Sequence, residues 1–88
     1  MNPSDPTPLP IEHQPAEQRF VGPGGAVLEY RLEEHRMVFA RTFVPEALRG
    51  RSLAARLTEA ALRFARARHY EVVPECRYTA AYLRRHHP

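Results

Sequence analysis

Three observations predict an α+β fold in which helices pack on a mixed sheet, in the order β-β-β-α-β-α. The first half of the chain alternates apolar and polar residues, most clearly from Ala26 to Glu33. One long amphipathic helix follows, with Leu53, Leu57, Ala60, Ala61, Phe64 and Ala65 on a single stripe. A short β-rich run and a second helix come after it, and a strand, a helix and a strand in succession imply parallel pairing through a right-handed crossover. With 88 residues, 43% of them apolar, the chain has room for one domain with a modest core.

Residues 1–15 hold Pro3, Pro6, Pro8, Pro10 and Pro15 among few apolar residues. They read as a flexible Pro-rich tail ahead of a domain over 16–88. Gln18 to Val21 is a short strand, and Gly22-Pro23-Gly24-Gly25 marks a turn. From there Ala26, Leu28, Tyr30 and Leu32 share one face of a half-buried strand, with Val27, Glu29, Arg31 and Glu33 on the other. Glu34-His35 closes a hairpin to a strand over Met37 to Val44, which Pro45 ends because it lacks the N–H a ladder needs. The long helix is predicted over Ser52 to Arg68, with a Glu59–Arg63 pair on its exposed side. Tyr70 to Val73 is the last strand, interrupted by Pro74, and Tyr78 to Arg85 the last helix.

All thirteen basic residues are arginines, set against ten acidic ones for a formal net charge of +3. The guanidinium's planar donor fork suits an anionic cofactor, and a basic chain suits nucleic acid too. Against nucleic acid stand Glu59 within the basic helix face and the lack of an aromatic stacking pattern or recognised motif. No apolar run is long enough to span a bilayer and the N-terminus lacks a secretory pattern, so no membrane partner is expected and a cytoplasmic setting is the default. Cys76 is the single cysteine, which excludes an internal disulfide, and the five histidines show no metal-site spacing.

The functional signal is the loop Arg49-Gly50-Arg51-Ser52-Leu53-Ala54, which runs from a strand into the best helix of the chain. The first amides of a helix lack partners within it and carry partial positive charge, so a phosphate can be held there by backbone alone. The same residues also admit a turn glycine, an N-cap serine and solvated arginines. The order of features around the loop adds to the signal. Ala26-Val27-Leu28-Glu29-Tyr30 and Thr42-Phe43-Val44-Pro45-Glu46 precede it; Val73-Pro74-Glu75-Cys76, with Tyr82 downstream, follows. Together they resemble the GCN5-related N-acetyltransferases, whose acetyl-CoA loop has the pattern Gln/Arg-x-x-Gly-x-Gly/Ala between a strand and a helix. Arg49 and Ala54 match that pattern, and Ser52 stands where it has glycine. From about Arg19 onward the chain is similar to the small YjdJ-like branch of that superfamily.

The resemblance implies acetyl transfer from acetyl-CoA, as cosubstrate and without a metal, to a primary amine on a small molecule or protein. A homodimer is one way to complete the acceptor wall. The implied cofactor-binding residues are Arg49, Gly50, Arg51, Ser52, Leu53, Ala54 and Ala55 at the pyrophosphate, with the strand end Phe43 and Val44 along the pantetheine arm. The Val44 amide is the implied oxyanion donor. Pro74 either helps to open a gap beside that strand or is a plain edge-strand proline. Cys76 falls near the expected thioester, as a lining group, a nucleophile or a small buried hydrophobe. Tyr82 is the first match to a tyrosine that protonates the departing thiolate, and Tyr78 the second. Arg41 occupies a position where the branch tends to carry histidine. Arginine is no base at neutral pH, which leaves Glu29, Glu46 or water for that task.

Overall fold

The computed structural model describes residues 10–86. Five strands form one sheet in the order β1-β2-β3-β4-β5: β1 Glu12–Gln14, β2 Arg19–Val21, β3 Val27–Glu33, β4 Arg36–Phe43 and β5 Glu71–Pro74. Helix α1, Leu53–Ala67, lies between β4 and β5 in sequence, and α2, Arg77–His86, follows β5. The pairings are antiparallel except for β4 with β5, which is parallel, as a strand–helix–strand unit implies.

The mixed sheet and the α+β class agree with the sequence reading, but four strands precede α1 rather than three. The additional one is β1, whose Glu12 pairs with Val21 and Gln14 with Arg19. The prolines had assigned this stretch to the tail. Pro15 instead begins a 3-10 turn, Pro15–Glu17, where a missing N–H costs nothing, and Gln18 closes it with a left-handed φ of 54°. Proline here makes the hairpin. Residues 1–9 of the expected tail lie outside the described residues.

Three residues of edge strand are held mainly by side chains. The His13 ring stacks on Phe20 at 4.0 Å with 2° between planes and meets Phe64 of α1 edge-on at 4.5 Å. Its Nε2 lies 2.6 Å from the Tyr30 hydroxyl. Leu28, Tyr30, Met37 and Phe39 of the sheet pack against Leu53, Leu57, Ala61 and Ala65 of α1. Each fully buried leucine there contributes about 2 kcal/mol. α2 adds Tyr82, whose hydroxyl donates to Glu59 at 3.1 Å. Glu59 therefore does not form the expected pair with Arg63 among the described residues. A hydroxyl on a buried ring needs an acceptor, whereas an exposed ion pair is worth only tenths of a kcal/mol.

Two features of β4 shape its far end. Tyr30 pairs with Phe39 and Glu29 with Arg41, so Ala40 is an extra residue, a β-bulge. Beyond it Thr42 lies opposite Leu28 on the core face, while Arg41 lies opposite Glu29 on the outer face, its Nε 3.7 Å from the carboxylate. The parallel pairing with β5 runs from Arg36↔Glu71 to Phe39↔Pro74 and stops. Pro74 thus belongs to β5 as its last residue. Ala40 to Phe43 pair with β3 alone, and the chain after β5 turns away into α2.

Candidate active site

The gap beside β4 opens onto the loop that leads into α1. After β4, a 3-10 turn over Glu46–Leu48 brings the chain to Arg49, whose Nε donates to the Val44 carbonyl at 3.1 Å. That bond ties the loop to the strand end. Gly50 then takes a φ of 83° and Ser52 a φ of 63°, both left-handed. Glycine adopts such an angle freely, while a residue with a Cβ is disfavoured by roughly 1–2 kcal/mol. The glycine of the family pattern at position 52 therefore has a physical reason. Ser52 occupies the N-cap position but makes no capping bond with its side chain. The first bond within α1 is from the Arg56 amide to the Ser52 carbonyl, 3.0 Å. The amides of Leu53, Ala54 and Ala55 precede it and stay available to an anion.

These elements enclose a cleft of about 250 Å³ lined by Val44, Leu48, Arg49, Gly50, Ser52, Leu53, Ala54, Ala55 and Tyr78. Seven of the nine expected cofactor-binding residues are in that lining. Phe43 and Arg51 are not: the exposed Phe43 ring lies on the outer face beneath the Arg41 guanidinium, 5.9 Å away, and Arg51 is exposed. Leu48 went unrecognised in the sequence because a lone leucine between Pro45 and Arg49 has no periodic partner. Its wall is backed by the turn Pro23–Gly25 between β2 and β3. A Cβ added to Gly24 (φ 69°) would meet Leu48 Cδ1 at 2.5 Å.

The two tyrosines exchange places relative to expectation. Tyr82, the first candidate for the proton donor, is buried, bonded to Glu59 and stacked on His86 at 4.2 Å. It faces a different hollow, between α1, α2 and β5, with Leu62, Arg66, Val72, Leu83 and His86. Tyr78, one helical turn earlier, lines the cleft. Burial raises the Tyr78 pKa above its usual 10.0, with Arg85 pulling it down and Glu59 pushing it further up. Its hydroxyl is thus protonated at neutral pH.

Cys76 stands at the root of α2, outside the cleft lining. Its amide donates to the Phe39 carbonyl at 2.8 Å, and its own carbonyl accepts the Ala80 amide at 3.0 Å, so it is the N-cap residue of α2. Its thiol donates to Thr42 Oγ1 at 3.6 Å. Burial pushes the thiol pKa up. The Thr79 amide, the Thr42 and Thr79 hydroxyls and the Tyr78 amide outweigh burial together and hold it below its ordinary 9.0. Thr79 is itself fully buried, and its Oγ1 makes no hydrogen bond of standard geometry. Thr42 stands in one of the segments that resemble the family, without a role beside the thiol, and Thr79 carries no signal in the residue order. Thr42 reaches the thiol only because of the bulge, and Thr79 only because Cys76 caps the helix. Glu29 on the outer face is engaged by Arg41, and neither it nor Glu46 lines the cleft.

A profile of the GCN5-related N-acetyl-transferase family matches residues 18–88, nearly the whole of the sheet and both helices. The chain belongs to that family. No curated protein matches it. Among the described residues this family member's five-stranded mixed sheet carries two helices. No group of histidine, cysteine or acidic residues suited to a metal ion occurs among the described residues, and no helix there is long and apolar enough to cross a membrane.

Proposed function

We propose that this chain moves an acetyl group from acetyl-CoA to a primary amine, with the substrate seated in the cleft between β4, the loop 49–55 and Tyr78. One observation carries the reading: the unpaired end of β4, three free helix amides and a protonated tyrosine converge on a single cleft. These residues fit a nucleotide thioester. The α1 amides and the arginines of the loop suit a pyrophosphate. The exposed edge of β4 from Ala40 to Val44 offers backbone donors and acceptors to the amides of an extended arm, and the Val44 amide is the donor for a developing oxyanion. The ordered segments around the loop support the YjdJ-like branch within the family.

The substrate supplies a thioester carbonyl. The amine forms its bond to that carbon as the bond to sulfur breaks. The Tyr78 hydroxyl gives its proton to the leaving sulfur, and water takes the proton of the amine. Cys76 lies two residues before Tyr78, and against the upward push of burial the first amides of α2 and the threonine hydroxyls hold its thiol pKa below the ordinary 9.0. That thiol favours a second route, in which Cys76 first accepts the acetyl group and then passes it to the amine. Intact mass after incubation with acetyl-CoA alone separates the two: a stable gain of one acetyl group that vanishes in Cys76→Ala supports the covalent route.

Calorimetric titration with acetyl-CoA tests the foundation. The expected result is micromolar binding that collapses in an Arg49→Ala, Arg51→Ala double variant. A folded wild-type protein that binds no acetyl-CoA would overturn the assignment.

A further inference from the structure

The helical side of the molecule carries more positive charge than the proposed acetyl transfer uses. Arg19, Arg31, Arg36 and Arg41 lie in the strands. The other nine of the thirteen arginines follow from Arg49 on, against three glutamates, Glu59, Glu71 and Glu75. Among the described residues the ion pairs engage Arg31 and Arg41 and none of those nine. On α1, Arg56, Arg63 and Arg66 are all exposed, and spacings of seven and three residues set them along one face. Glu59 shares that face, but its carboxylate accepts the Tyr82 hydroxyl and no arginine pairs with it. Glu59 keeps its charge on that face, outnumbered by the three arginines, while one of its oxygens accepts the Tyr82 hydroxyl of α2.

The second helix extends the strip. Arg66 lines the hollow between the helices together with Tyr82, Leu83 and His86 of α2, and Arg84 and Arg85 stand exposed in the last turn of α2. We propose that this face, Arg56, Arg63 and Arg66 of α1 with Arg84 and Arg85 of α2, binds nucleic acid through its phosphate backbone without reading bases.

The surface itself selects the partner. A membrane requires apolar side chains to insert beside the cations, and the large apolar residue exposed among those described is Phe43, on β4. The apolar stripe of α1 is spent in the core. A protein partner requires central apolar or aromatic anchors, and between these arginines the α1 face offers only alanine and Glu59. A phosphate backbone needs neither. It presents repeated anions to which each guanidinium donates in a planar fork.

The test is fluorescence anisotropy of the full chain with labelled mixed-sequence RNA of about 20 nucleotides, across a salt series. Affinity should fall about fiftyfold between about 50 and 200 mM salt, the slope for about four neutralised phosphates on a single strand. Arg56→Gln, Arg63→Gln and Arg66→Gln together should flatten that slope by about 2 and weaken binding at least about tenfold at low salt. Arg84→Gln with Arg85→Gln should do the same to a smaller degree, and thermal melting verifies that each variant is folded. Arg19→Gln with Arg36→Gln, on the sheet side, should leave binding unchanged, and saturating acetyl-CoA should not displace the RNA. The proposal is overturned by absence of binding at low salt or by equal loss in the sheet-side variant. Displacement by acetyl-CoA, or tighter capture of polyglutamate than of RNA at equal salt, would overturn it as well.

Discussion

The two sides of the sheet solve opposite problems. At the β1 edge a three-residue strand is sealed by an aromatic stack, with His13 between Phe20 and Phe64 and the Tyr30 hydroxyl against its Nε2. At the β5 side the ladder is cut after Phe39↔Pro74, and β4 is left with an unpaired margin beside a cleft. The first arrangement gains stability from packed rings and leaves no room. The second leaves backbone donors unpartnered and holds Ser52 at a left-handed φ of 63°. Stability and access are thus assigned to different sides of one small sheet, and changes on each side should report on different quantities.

The largest effect is expected at the open side. Tyr78→Phe should lower kcat by roughly a hundredfold or more, as removal of a general acid does, with acetyl-CoA affinity retained. Tyr82→Phe should leave kcat intact and cost about 1 kcal/mol of stability through the lost bond to Glu59. Steady-state kinetics on both variants decides the matter, and the reverse pattern would move the proton donor away from the cleft. At the closed side, His13→Ala should destabilise the fold by roughly 2 kcal/mol, from lost stacking and hydrogen bonding. Denaturant melts would show this, and acetyl-CoA titration should be unaffected.

The closed side should also respond to acid. Burial, then the Arg68 guanidinium, lowers the His13 pKa below its ordinary 6.5. The groups around it are Tyr30 from β3, Phe20 from β2, Phe64 from α1, Arg68 at the end of that helix and Tyr70 beyond it, with no carboxylate among them to offset the charge. The folded state favours the neutral ring, which in its Nδ1–H tautomer accepts the Tyr30 hydroxyl at Nε2. Its contribution is therefore complete above pH 6.5 and declines as pH falls through that value toward the lower folded pKa. Melts between those limits should lose stability in the wild type, and this component should be absent in His13→Phe. The smallest effect belongs to the strained loop: Ser52→Gly should raise stability by about 1 kcal/mol and leave acetyl-CoA binding equal or tighter. A lower melting temperature would show that Ser52 supports the loop in a way its backbone angle does not reveal.

Much of this was legible from residue order. The alternation from Ala26 to Glu33 marked the buried face of β3, the apolar stripe marked α1, and Arg49 through Ala55 marked most of the cleft. What escaped reading depended on contacts distant in sequence. β1 is stabilised by rings from β2, β3 and α1, which no local pattern of proline and glutamate displays. Tyr78 and Tyr82 differ by one helical turn, and only the packing of α2 on Glu59 tells which of them looks into the cleft. Thr79 carries no signal at all until Cys76 is known to cap its helix.

Ala40 has a further consequence. In a strand, position parity fixes the side on which each side chain emerges, and one inserted residue acts on it as a frameshift acts on a message. Upstream of Ala40 the odd-numbered Met37 and Phe39 face the core; downstream the even-numbered Thr42 does. Were Ala40 paired with Glu29 in regular alternation rather than bulged, Arg41 would emerge on the core face beside the Cys76 thiol and Thr42 on the outer face. The chemical character of the thiol's surroundings, a neutral hydroxyl in place of a fixed cation, is therefore written in the parity of the strand.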